Sequence, residues 1–355
     1  MFVDIEKIQP RNEKVNNGHA IVKFDLLEIP SFKKLIKWNG FPLSFQIMIL
    51  FILTGLIFQS WGKYTPANED PELYARLNLV SLLVWCIWWP AIIISVIILG
   101  RIWCMVCPLE LVSRLGGKLG AFLKIPRFQL KGTMRNGTII LMLYFIIQML
   151  VPGIGLHEVP AYSAFFFTGL IFLAAVSGLF YKNGSFCKAF CPVSFTLNAY
   201  SRGGMLAVRA ATRRKCSACS DKSCIRIENK GISAPRSCPG NLYLPRMQNS
   251  QDCLLCGQCI KSCPSDNVEF LLRPPFSIND VREKTASVCM TLFIMIESGF
   301  VIGELAEEWP AAEKIFMYLP GLLINSLDLN YIPGWIMGLW SLIFFPLIIW
   351  SVFSL

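Results

Sequence analysis

Cys253-Leu254-Leu255-Cys256-Gly257-Gln258-Cys259-Ile260-Lys261-Ser262-Cys263-Pro264 is the most informative stretch of this 355-residue chain. Its spacing is C-x2-C-x2-C-x3-C-P, the run that holds a cubane iron–sulfur cluster. Short spacings let three thiolates wrap one corner of a [4Fe–4S] cage while the backbone amides between them point at its sulfides. The proline turns the chain toward a second site. In two-cluster arrangements the fourth cysteine serves that neighbouring cluster.

A partner run lies upstream: Cys216-x2-Cys219-x4-Cys224, then Cys238-Pro239 after an insertion. Its third ligand comes two residues late, and a larger loop precedes its fourth. Pseudo-symmetric exchange of the fourth cysteines predicts one cluster on Cys216, Cys219, Cys224 and Cys263, and another on Cys238, Cys253, Cys256 and Cys259. Two structural zinc sites are the alternative, since C-x2-C pairs also suit zinc. The third cysteine at x2 spacing and the two Cys-Pro endings favour clusters. Disulfides are the third option, disfavoured in a reducing cytosol.

Around these runs the chain is oily. It is 54% hydrophobic and only 16% charged, whereas a soluble domain carries about a quarter charged residues. A membrane-crossing helix needs roughly 20 apolar residues. Intervals of that kind lie at 43–61, 77–100, 136–156, 159–181, 285–303 and 329–355, the fifth interrupted by Glu297. The expectation is six spans. The apolar segment 315–327 is too short to cross and reads as interfacial or re-entrant. No cleavable signal peptide is expected, because residues 1–42 are polar and mixed.

Positive charge favours the cytoplasmic side of a membrane. Segments 1–42, 100–137 and 182–286 hold 7, 7 and 16 Lys and Arg, against 2, 0 and 1 in 61–76, 152–162 and 304–332. Both termini and the cysteine-rich loop are therefore expected in the cytoplasm. The net charge of +10 is then a matter of sidedness, and no nucleic-acid partner is expected. Trp38, Trp61, Trp309 and Trp335 fall near span ends, as interfacial aromatics do. With only His19 and His157 present, a bundle of bis-histidine haems is excluded and no haem is expected. The division is a tail (1–42), a four-helix membrane domain (43–205), a cluster domain (206–284) and two final helices with an outer loop (285–355).

Two further cysteine pairs follow span ends on the same side: Cys104-x2-Cys107-Pro108 and Cys187-x3-Cys191-Pro192. Four thiols converging there suit an iron–sulfur cluster or one soft metal ion. They also suit a dithiol–disulfide couple, or each Cys-Pro merely shapes the turn that leaves its helix. Cys86 and Cys289, alone inside spans, read as small core hydrophobes. Glu297 is a candidate functional group, for protons or for a quinone headgroup, because an acid inside a span is costly. Its alternative is a neutral acid hydrogen-bonded between helices. His157 reads as a loop residue, Glu110 as a cap on the helix after Pro108 or a group that adjusts the thiol site, and 209–215 as a basic anchor or docking strip. The glutamates Glu304, Glu307, Glu308 and Glu313 read as a solvated loop or a face for an outer partner.

In these features, taken in order, the chain resembles the membrane polyferredoxin family that includes NapH, the membrane half of NosR, and CcoG. The features are Gly100-Arg101 with Cys104 and Cys107-Pro108, then Cys187 and Cys191-Pro192, then the two cluster runs, on a multi-span scaffold. The resemblance spans roughly residues 40–275. The family's first pair is usually C-x3-C-P, whereas Cys104 and Cys107 have two residues between them. The resemblance implies an α-helical integral membrane protein of about six helices with an inserted cytoplasmic α+β two-cluster ferredoxin domain, in a bacterial or archaeal cytoplasmic membrane. It implies a quinol-dehydrogenase-like electron-transfer subunit, linking a quinone pool or a cytoplasmic ferredoxin or flavodoxin to an extracytoplasmic redox partner. An assembly factor that reduces a metal or thiol for another metalloenzyme is the alternative, and a redox sensor is a third reading.

Overall fold

The computed structural model describes residues 24–66, 68–130, 132–182, 184–226, 236–247, 249–276, 287–327 and 333–354. The main elements run β1 (Phe24–Asp25), α1 (Pro30–Lys37), α2 (Leu43–Ser60), α3 (Leu79–Leu99), α4 (Pro108–Phe122), α5 (Thr138–Ile154), α6 (Pro160–Phe180), α7 (Ser194–Tyr200), β2 (Leu206–Ala210), β3 (Val268–Leu272), α8 (Val288–Glu307) and α9 (Gly334–Val352). His19 and the 284/285 boundary lie outside the described residues.

Among the described residues, five helices, α2, α3, α6, α8 and α9, are long and apolar enough to cross a membrane. Their outward faces are oily, with Phe51 81% and Phe58 85% exposed on α2, as lipid-facing helices require. The interval 136–156 yields a shorter helix than the sequence reading expects. Gly137, at φ +88°, starts α5, and Pro152 inside it and Gly155, at φ +65°, end it after 17 residues. α3 carries a π-helical stretch at Leu82–Trp88, which turns Cys86 outward. The expectation that Cys86 is a core residue is therefore corrected: it is exposed. Cys289 is half-buried, with its sulfur 3.7 Å from Thr138 Oγ1.

α4 and α6 meet almost backbone to backbone. A Cβ on Gly178 would lie 1.8 Å from the Ser113 carbonyl oxygen, and one on Gly116 2.3 Å from that of Ala175. Only glycine permits this approach. It places the start of α4, with Cys107, beside the chain that leaves α6 toward Cys187.

The three strands form one antiparallel sheet in the order β1-β3-β2. Leu206 pairs with Leu272 and Ala210 with Val268. β1 adds an edge, Phe24 opposite Leu272. Asp25 Oδ1 accepts from the amides of Leu27 and Phe270, and Phe32 on α1 packs edge-on against Phe270 at 5.3 Å. A core of Ile36, Phe41, Val208, Leu255, Ile260 and Phe270 fills the space between α1, the sheet and the cysteine loops. Residues 24–42, read from sequence as a tail, are thus part of the folded body around the cysteines.

Candidate functional site: three sets of converging thiols

The β2–β3 ladder decides which cysteines meet. Cys216 lies six residues beyond Ala210 and Cys263 five before its partner Val268, so the register brings both to one end of the sheet. Asn267 locks that end. Its Nδ2 donates to the Thr212 carbonyl at 2.8 Å, its Oδ1 accepts from the Thr212 amide at 3.0 Å, and its own amide donates to Cys263 Sγ at 3.3 Å. Cys216, Cys219, Cys224 and Cys263 line a cavity of about 380 Å³, counting its mouth. This is the first predicted set, including the exchanged fourth cysteine.

Cys238, Cys253, Cys256 and Cys259 form the second set. Cys238 acts electrostatically on the other three. Burial pushes the Cys253 thiol up to about 11 and the Cys256 thiol up to about 12. The amides of Leu255 and Gln258, each two residues beyond a cysteine, work against that rise by favouring the thiolate. Cys224 of the first set is near enough to act on Cys259 of the second.

The four cysteines at the helix ends form the third set. Gly100, at φ +87° and ψ −163°, ends α3 in a conformation open to glycine alone, and the next turn carries Cys104. Cys107 and Cys191 are extended because each precedes a proline. Cys107 feels Cys104 and Cys191, and Cys187 feels Cys191, Cys107 and Cys104. Burial drives the Cys191 thiol up to about 12, and the neighbouring Cys104 sulfur adds to the rise. The amides of Leu109 and Glu110 act on the Cys107 sulfur, and those of Val193 and Ser194 on Cys191. The amide two residues on thus faces the sulfur here as it does at Cys253 and Cys256.

Buried charge joins the second and third sets. Arg101, 6% exposed, donates to the Gln251 carbonyl at 2.8 Å. Burial works against its charge, yet Cys104, Asp252 and Cys187 hold its pKa above the ordinary value. Cys253 and Cys191 feel the same guanidinium. Glu110 is not the cap expected from sequence. It is buried in a paired contact with Arg236, at 2.9 and 3.3 Å, and accepts from Gln46 Nε2 at 3.0 Å, with Arg114 4.0 Å away. Burial opposes its charge, but the two guanidinium groups keep its carboxyl below the usual range. Arg236 also acts on Cys256, and Glu110 on Cys187. These side chains had no motif to announce them; Arg236 is only two residues from Cys238.

Among the described residues, no group of three or more His, Cys, Asp and Glu closes on a point as a single-ion site does. A cubane holds its ligands farther apart than one ion does, because the iron–sulfur cage stands between them. The first set, ringed around a cavity, fits that demand.

Glu297 lies on α8 among neighbouring helices. Tyr144 on α5 donates to its Oε2, and Tyr200 on α7 donates to its Oε1 at 3.0 Å. Gln148 Nε2 donates to the Tyr144 hydroxyl at 2.5 Å. His157 sits beside Glu158, 3.7 Å away, and edge-on to Trp85.

No family profile, curated protein or solved structure matches the chain.

Proposed function

We propose that the chain is a membrane-anchored iron–sulfur electron-transfer protein. The observation that carries this reading is the succession of three thiol sets, the first near enough to the second for Cys224 to act on Cys259, and the second joined to the third by Arg101 and by Arg236 with Glu110. Cys216, Cys219, Cys224 and Cys263 would hold one [4Fe–4S] cluster, and Cys238, Cys253, Cys256 and Cys259 the other. Cys104, Cys107, Cys187 and Cys191 would hold a third cluster or a metal. Bound there, such groups supply one-electron storage at each station. The chain's residues supply the rest. The thiols lose their protons on loading, Arg101 and Arg236 offset the negative charge so created, and the Leu255, Ile260 and Phe270 core keeps water from the second set.

In this reading α5 is a sixth span, since 17 residues is the lower limit for crossing. The 206–272 body is a ferredoxin-like domain on the cytoplasmic face, placed there by the lysines and arginines around it. Donor and acceptor are a quinone or cytoplasmic carrier and an outer redox partner.

Anaerobic purification with iron and acid-labile sulfide analysis tests the reading. About eight irons are expected from the two ferredoxin-type sets, and more if the third set carries a cluster, the excess then lost in Cys104→Ser with Cys191→Ser. Zinc without sulfide would overturn it.

A further inference from the structure

We propose that Glu297 is a reversible proton-binding site inside the membrane helices, held between the phenols of Tyr144 and Tyr200 and approached from the cleft at the helices' thiol end. The inference concerns α5, α7, α8 and α9 and does not depend on any cluster.

Among the described residues, the helices around Glu297 contribute no cation. α5, α7, α8 and α9 carry no lysine, arginine or histidine. The ionisable groups that face Glu297 are the phenols of Tyr144 on α5 and Tyr200 on α7, and α9 contributes none. On α8 itself, Glu304 and Cys289 are about two turns away in opposite directions. The short helix Pro310–Phe316, packed near the far end, bears Glu313 and Lys314. An ionised acid in such a place is costly, yet both charge states find partners. As a carboxylate, Glu297 accepts from both phenols. As an acid, its own O–H donates to one phenol oxygen while the other phenol still donates to it, because a phenol hydroxyl is donor and acceptor at once. The step is balanced: one proton from water joins one carboxylate oxygen, and no bond to carbon changes.

Access comes from one end. A cleft of about 1840 Å³, counting its open mouth, is lined by Arg101, Cys187, Ile140, Phe195, Asn198 and Met290 among others. Ile140 is one turn from Tyr144, Met290 two turns from Glu297, and Asn198 two residues from Tyr200. Asn198 Oδ1 is buried without a hydrogen-bond partner. An acceptor in that condition calls for a water, and it lies on the wall of the cleft. Phe293 packs edge-on against Tyr144 at 4.9 Å and against Phe195 at 5.6 Å.

Infrared difference spectroscopy of the full chain in lipid vesicles, recorded as pH is stepped from mildly acidic to mildly alkaline, tests this. Wild-type protein should show a carboxylic-acid C=O band that disappears on the alkaline side and shifts in D2O. Glu297→Gln should lose the band. Tyr144→Phe, which keeps the acid, should move its frequency and so identifies it should Glu297→Gln fail to fold. Tyr200→Phe, which removes the other phenol, should move the frequency as well. A band that ignores pH, one that survives Glu297→Gln, or its absence from the wild type at every pH would overturn the site.

Discussion

Glu110 shows what one residue can do at a junction. It neutralises Arg236 and Arg114 where water is scarce, so removing its charge leaves two guanidinium groups without a buried counter-charge. Glu110→Gln is expected to destabilise the protein by roughly 3–5 kcal/mol, read as a lowered midpoint in thermal unfolding of the detergent-solubilised chain. The double change Glu110→Gln with Arg236→Met should recover much of the loss, because no orphan charge then remains at Arg236. The sign with pH follows from the direction of its shift. The folded carboxyl is held below the unfolded value of about 4.3, so its contribution is full above that pH and disappears as pH falls below it. In Glu110→Gln the acid side of the stability profile should flatten. None of this was legible from spacing. Pro108-Leu109-Glu110 looks like a helix start with an acid in its first turn, and only the fold shows that a loop 126 residues away delivers Arg236 to it. Gln148 did carry a faint signal, an amide one turn from Tyr144 in an apolar stretch.

At the scale of elements, the grouping of Cys253, Cys256 and Cys259 is legible because the C-x2-C-x2-C geometry is set within seven residues. The exchange of Cys263 into the first set is not local. It is enforced by the β2–β3 register and the Asn267 clamp. Asn267→Leu should therefore empty the first set while sparing the second, which predicts about half of the eight irons in the purified protein. Helix contacts have a parallel weak point. Gly178→Ala places a methyl group against the Ser113 carbonyl, where no side chain can yield. It should cost about 1–3 kcal/mol as overpacking, seen as a lower unfolding temperature. Helix ends were harder to foresee than helix centres, because Gly137, Pro152 and Gly155 trim α5 from within an interval that hydropathy alone extends. The π-helical turn of α3, which exposes Cys86, has no marker in composition.

For the whole molecule, sidedness is the property most open to a direct test. Reporter fusions after residue 220, in the basic loop, and after residue 312, in the acidic one, should report opposite sides of the membrane, with the first cytoplasmic. The same side for both would break the six-span reading. Charge asymmetry and apolar intervals are legible because a bilayer imposes them on any chain. Contacts between the soluble body and the helices answer to no such uniform rule, which is why residues 24–42 read as a tail although they pack into the body.

That packing governs the order of assembly. Asp25 receives its bond from Phe270, 245 residues later in the chain, and among the described residues β1 has no other strand to pair with. During synthesis the strand emerges early and must wait, unpaired, while α2 to α6 are made. The body around the cysteines can close only after those helices exist, so the cysteine loops are sealed by a segment made long before them.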